Sequence, residues 1–121
     1  MIDYHNKVFS CKNNKDNEDI TIETLFFYKQ NGEIVQAKYF GGNVKYGEII
    51  GLVNEQGSLQ GSFCHSTYTS QSYGGVCMFT PKRMEDTRVV LLVKWCGADG
   101  KNIESEWLME ELIKEAFPPL F

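Results

Sequence analysis

Six side chains in this sequence could recognise or transform a small molecule: Tyr28, Tyr39, Tyr46, Glu48, His65 and Trp95. Phenols and an indole each offer a flat apolar face with one polar edge, and a carboxylate desolvated beside an imidazole can serve as general acid and base or anchor a polar ligand. No nucleophile or third orienting group is identifiable from spacing, so Glu48 and His65 read as a binding feature, with acid/base catalysis as an alternative. Buried tyrosines and a histidine can also do no more than satisfy one another. Cys11, Cys64, Cys77 and Cys96 contain no C-x-x-C pair, which removes the usual spacing of zinc or redox chemistry and leaves four free, half-buried thiols. No metal and no cofactor is expected. Gly41-Gly42 and Gly74-Gly75 lack the strand-to-helix setting in which backbone amides converge on a phosphate, and they read as hairpin turns.

These residues need elements to bring them together. Asn31-Gly32 lies between two alternating runs, Ile20 to Lys29 and Glu33 to Phe40, and such a step suits a type I′ turn and a tight hairpin. Further breaks at Gly41-Gly42, Asn54 to Gly57, Ser70 to Gly75 and Gly97 to Gly100 separate stretches of about one strand each. The expected strands are Lys7 to Cys11, Ile20 to Lys29, Glu33 to Phe40, Val44 to Val53, Ser58 to Tyr68, Gly75 to Thr80, Arg88 to Cys96 and Asn102 to Leu108. This is an all-β fold, an eight-stranded antiparallel up-and-down meander. Eight strands can close into a barrel, which removes edges and leaves an interior that side chains fill or that holds one small ligand. Lys12 to Asp19 is polar and should be an exposed loop. Met109, Leu112, Ile113, Ala116 and Phe117 recur at helical spacing before Pro118-Pro119, so a short C-terminal helix is expected, with extension of the eighth strand as the alternative.

A two-residue Asn31-Gly32 turn sets Tyr28 against Val35, Phe26 against Ala37 and Thr24 against Tyr39 on an inner face, and leaves Leu25 and Phe27 on the outer wall in need of a cover. A two-residue Gly41-Gly42 turn then brings Tyr46 and Glu48 inward; a three-residue turn would bring Lys45, Gly47, Ile49 and Gly51 inward instead. Continuing the first option places Leu59, Gly61, Phe63 and His65 inside, with His65 opposite Tyr46. A loop centred between Ser70 and Gln71 sets His65 against Val76 and Cys64 against Cys77, with both thiols outward. Val89, Leu91, Val93 and Trp95 form one face of the seventh strand.

The 121 residues suit one domain, 1–121, with a single core. A formal net charge of −4, with twelve Lys and Arg scattered among sixteen acids, argues against a nucleic-acid partner. No signal-peptide head or membrane-spanning apolar run is present, so a cytoplasmic protein without membrane partners is expected.

At Glu23-Thr24-Leu25-Phe26-Phe27-Tyr28, Tyr39-Phe40-Gly41-Gly42, Gly47-Glu48-Ile49-Ile50-Gly51-Leu52 and Lys94-Trp95, the chain resembles a family of small uncharacterised bacterial proteins often labelled N-acetylglutamate synthase. The resemblance covers roughly residues 5 to 111 at the level of a meander template, and it implies a calycin-like β barrel. It departs from the family pattern at Phe27, where histidine is usual. An acetyltransferase of the usual α/β kind needs a Gly-rich turn at a helix N-terminus, led by a basic residue, to hold a pyrophosphate. This chain has only Arg83 and Arg88, neither followed by such glycines, so its residues do not support that label. The leading expectation is a small-ligand-binding or sensing barrel whose pocket includes Tyr28, Tyr39, Tyr46, Glu48, His65 and Trp95. One alternative is a structural or interaction module working through its outer wall around Leu25, Phe27 and the C-terminal segment, as a homodimer. The other is an enzyme using Glu48 and His65.

Overall fold

The computed structural model describes residues 3–13, 19–83, 88–97 and 104–112. Eight strands follow in order: β1 Val8–Asn13, β2 Leu25–Asn31, β3 Ile34–Gly41, β4 Val44–Val53, β5 Leu59–Thr67, β6 Ser72–Arg83, β7 Val89–Gly97 and β8 Glu104–Glu111. Each pairs antiparallel with its neighbour, and β1 pairs with β8 to close the barrel. At this seam the Leu112 amide donates to the Val8 carbonyl at 2.8 Å, and Lys7 pairs with Glu111 at 3.2 Å. The β1–β2 ladder is short, running only from Val8 opposite Phe27 to Ser10 opposite Leu25; Cys11 continues along β8 alone among the described residues.

Alternation along the strands builds the core. Phe26 and Tyr28 from β2, Val35, Ala37 and Tyr39 from β3, Leu59 and Phe63 from β5, and Val89 to Trp95 at every second residue from β7 all point inward and are buried. The β2–β3 turn differs in detail from a type I′ Asn-Gly turn. Asn31 pairs with Ile34, and Gly32 takes the positive φ of +62° while Glu33 does not, as in a type II′ turn with glycine first. Tyr28 therefore lies opposite Ala37 and Phe26 opposite Tyr39. This moves each partner by two residues, so the faces stay as expected.

Two later registers change faces. Gly41 pairs with Val44 across a Gly42-Asn43 turn, but from Tyr39 opposite Gly47 onward β4 has gained one residue, a bulge at Lys45-Tyr46 against both neighbouring strands. Val44, Gly47, Ile49 and Gly51 consequently face inward, and Tyr46, Glu48, Ile50 and Leu52 face out. In β6, the turn over Tyr68 to Gln71, with Ser70 at a φ of 63°, sets His65 opposite Tyr73 rather than Val76. Cys77 and Phe79 are thereby inside and Val76 and Met78 outside, while Gly74-Gly75 lies within the strand rather than in a turn.

The start of the expected second strand is also different. Asp19 to Thr24 folds as a turn over the barrel end: the Thr21 amide donates to Thr24 Oγ1 at 3.0 Å, the Thr24 hydroxyl to the Gly41 carbonyl at 3.0 Å, and the Asn43 amide to the Asp19 carbonyl at 3.0 Å. Threonine hydroxyls here compete with ladder hydrogen bonds and win. Ile20 is fully buried beneath this turn. Of the helix expected near the C-terminus, Met109 to Glu111 belong to β8, and residues 113–121 lie outside the described part. On the outer wall Phe27 is buried and stacks on Phe40, with centroids 5.3 Å apart.

Candidate functional site

The two ends of the barrel are built differently. At the end formed by the β2–β3 and β4–β5 turns, Tyr4 is buried beside Tyr28, with centroids 5.6 Å apart, and donates its hydroxyl to the Gly57 carbonyl at 2.7 Å. Tyr28 also meets Phe9 and Phe79 edge-on and approaches Met109 Sδ at 4.0 Å. Burial pushes the Tyr28 hydroxyl well above its ordinary pKa. Tyr28 is thus a packed plug residue, separated from the polar cluster at the other end.

That other end, the mouth, gathers the Asp19 turn, the β3–β4 turn and the β5–β6 turn. There the Tyr39 hydroxyl lies 2.8 Å from His65 Nδ1, and His65 Nε2 lies 3.3 Å from Asp19 Oδ2. Burial lowers the His65 pKa, with Asp19 pulling in the opposite direction, and burial raises that of Tyr39. At neutral pH the imidazole is therefore uncharged and the phenol protonated. Tyr39 donates to Nδ1, and Nε2–H donates to the Asp19 carboxylate, a chain in which each group fixes the next.

The Tyr39 ring owes its place to a missing side chain. It lies across Gly47, its partner on β4, where a Cβ would come within 2.3 Å of the ring. Phe26 stacks on Tyr39 at 4.7 Å and Trp95 meets it edge-on at 6.1 Å. Beyond these, Phe63 contacts Trp95 at 3.9 Å, Trp95 lies 5.2 Å from Trp107, and the half-exposed Tyr73 leans on His65 at 5.7 Å. Trp107, Trp95, His65 and Phe63 retain 3, 4, 5 and 6% exposure, whereas Tyr39 and Phe26 have none. The first four are all buried with slight residual exposure, and Tyr73 is the member of the cluster most open to solvent.

Of the residues singled out from sequence, Tyr39, His65 and Trp95 come together here. Tyr46 and Glu48 do not: the β4 bulge turns both onto the outer wall, where the Tyr46 hydroxyl donates to Glu48 Oε1 at 2.5 Å. His65 and Glu48 occupy opposite faces of the sheet, so they form no acid/base pair. Asp19, Trp107 and Tyr73 join the site without having been singled out. Asp19 sits at the end of a polar run that resembles any exposed loop, and only its contact with His65 distinguishes it. Among the described residues no group of His, Cys, Asp or Glu is placed to hold a metal ion.

A family model described as Avidin-like protein matches residues 2–112. Neither a curated protein nor a solved structure matches the chain significantly. The family match and the eight-stranded barrel agree with the calycin-like barrel implied by the sequence resemblance.

Proposed function

The chain belongs to the avidin-like family, and from that premise we propose that it is a cytoplasmic binding or sensing protein that takes a small molecule at the barrel mouth. Its ligand contacts are His65, Trp95, Phe63 and Tyr73, with Tyr39 and Asp19 holding the imidazole in one tautomer. The family typically binds small ligands, which supports the reading. The observation that carries it is the hydrogen-bonded chain Asp19–His65–Tyr39 beside an aromatic cluster whose members keep residual solvent contact. A buried polar chain is often replaceable by apolar groups without loss of stability, so its presence at this end favours a role in binding.

A thermal-shift screen against a metabolite library tests the proposal. A ligand at one hundred times its Kd stabilises the folded state by about 2.7 kcal/mol, enough to read as a clear rise in melting temperature. The rise should be lost in His65→Ala and kept in Tyr46→Phe, which alters only the outer wall. A hit that survives His65→Ala with undiminished affinity places the ligand elsewhere and refutes the site.

A second reading rests on the outer wall. Ile34 and its partner Leu52, with Ile50, form one exposed aliphatic patch on β3 and β4, and Val76 lies exposed on β6 beyond Ser62 of β5, with Leu52 and Val76 60 and 62% exposed. Exposed aliphatics on neighbouring parts of one wall suit an isologous contact with a second copy. Light scattering of the wild type and of Leu52→Lys/Val76→Lys tests it: the wild type should be dimeric or larger and the variant monomeric.

A further inference from the structure

The charges of this chain avoid one part of it. Residues 56–81, which hold all of β5, the turn after it and β6 as far as Pro81, contain no Asp, Glu, Lys or Arg, although 23% of the sequence is charged. Burial does not explain this, because Ser62, Cys64 and Ser66 on β5 and Ser72 and Val76 on β6 face outward and are exposed. A solvent-facing wall is where charged side chains ordinarily sit.

At the mouth-side end of this wall the uncharged groups gather around two open rings. Tyr68, in the β5–β6 turn, is 68% exposed. Tyr46, 45% exposed, lies on β4 opposite Ser66, two residues before Tyr68. Ser66 in turn lies opposite Ser72, and their hydroxyls are 3.4 Å apart. Glu48 Oε1 accepts the Tyr46 hydroxyl, which holds the phenol by its edge and leaves its flat face as the surface it offers. The Gln71 amide stands beside these groups in the same turn. Next along the strands Cys64 pairs with Gly74, which projects no side chain, so the wall is low there and a flat molecule fits across it.

We propose that this corner of the outer wall is a platform for a neutral saccharide, with sugar rings laid on Tyr46 and Tyr68 and their hydroxyls bonded to Ser66, Ser72 and Gln71. A pyranose has C–H faces, which suit the electron-rich face of an aromatic ring, and an equator of hydroxyls, which suit uncharged donors and acceptors. A nucleic acid would need Lys or Arg against its phosphates. A protein surface brings charges that this face would desolvate without pairing. The platform lies outside the barrel, so it goes beyond the mouth site and stands or falls apart from it.

Cellohexaose and maltohexaose serve as neutral probes and hexagalacturonate as the anionic one, each titrated into the full chain and followed by amide-proton correlation spectra. At least one neutral probe should give saturable shifts at Ser66, Tyr68 and Ser72, and hexagalacturonate should leave those signals in place. Tyr68→Ala should weaken the binding about fivefold, as the loss of one stacked ring implies. Silence of both neutral probes overturns the proposal, and so does undiminished affinity in Tyr68→Ala or equal binding of hexagalacturonate. Shifts confined to His65 and Trp95 overturn it while supporting the mouth site. Signals on this wall that move with protein concentration and ignore every probe reveal a contact with a second copy, and overturn it too. Should Tyr68→Ala not fold, Tyr46→Ala carries the same comparison.

Discussion

Gly47→Ala is the sharpest test of how the mouth is assembled. A Cβ there would lie 2.3, 2.4 and 2.6 Å from three ring carbons of Tyr39, whereas ordinary contact begins at 3.4 Å, so the ring must retreat by about 1 Å. It has nowhere to go. Phe26 backs it at 4.7 Å, Trp95 abuts its edge, and its hydroxyl is tied to His65. Overpacking of this kind costs about 1–3 kcal/mol, and retreat also gives up a buried hydrogen bond worth about 1 kcal/mol. Against this, alanine restricts the unfolded chain and returns about 0.4–1 kcal/mol. The expected net loss is about 2–3 kcal/mol, or roughly 6–12 °C in melting temperature for a domain of this size. Urea denaturation followed by circular dichroism measures it. The same substitution in a Tyr39→Leu background should cost less than about 0.5 kcal/mol, because the ring that collides is gone; the two backgrounds together form a double-mutant cycle. An unchanged stability for Gly47→Ala, or an equal loss in both backgrounds, would refute the claim that the ring occupies the space of the missing side chain.

Tyr39→Phe keeps the ring but leaves His65 Nδ1 without its donor, and should cost about 1–2 kcal/mol by the same denaturation assay. His65 titrates below its ordinary value in the folded protein, so the unfolded chain takes up a proton first as pH falls. Its contribution to stability is complete above about pH 6.5 and declines as pH drops through the folded-state pKa; His65→Gln should remove that slope from the pH dependence of unfolding. In the native protein a thiol reagent should modify the exposed Cys64 rapidly, while Cys11 and Cys77, buried and protonated, should react only on unfolding, as a time course of thiol release would show.

The strand count and the barrel were legible because glycines and Asn-Gly punctuate the chain and because strands report their faces by parity. Phe26 and Tyr28, Val35 to Tyr39, Phe63 and His65, and Val89 to Trp95 follow directly, and even a misplaced turn at Asn31-Gly32 left their faces intact. Tyr46 and Glu48 were not legible. Ile49-Ile50 gives β4 an apolar residue on each face, and the true inner face carries Gly47 and Gly51, whose absent side chains make room for Tyr39 and for close backbone approach by β5. One bulged residue at Lys45-Tyr46 then reverses the rest of β4, while β5 pairs one residue away from the expected register, with His65 opposite Gly47 rather than Tyr46, and so keeps Phe63 and His65 inward. In β6 an odd shift at the Ser70 turn did the same to Cys77 and Val76. Asp19 and Trp107 escaped notice for another reason: their significance lies in contacts made across the barrel, which no local pattern encodes.

The short β1–β2 ladder gives the barrel a natural parting line. From Cys11 onward β1 is held on one side only among the described residues, next to the turn that covers the mouth. Joints with so few cross-strand bonds open at much lower free energy than the surrounding wall. Amide hydrogens at Cys11 and Lys12 should therefore trade with deuterium long before those of β4 and β5, and such brief unzipping offers a guest a way into an interior that looks sealed when the molecule is at rest.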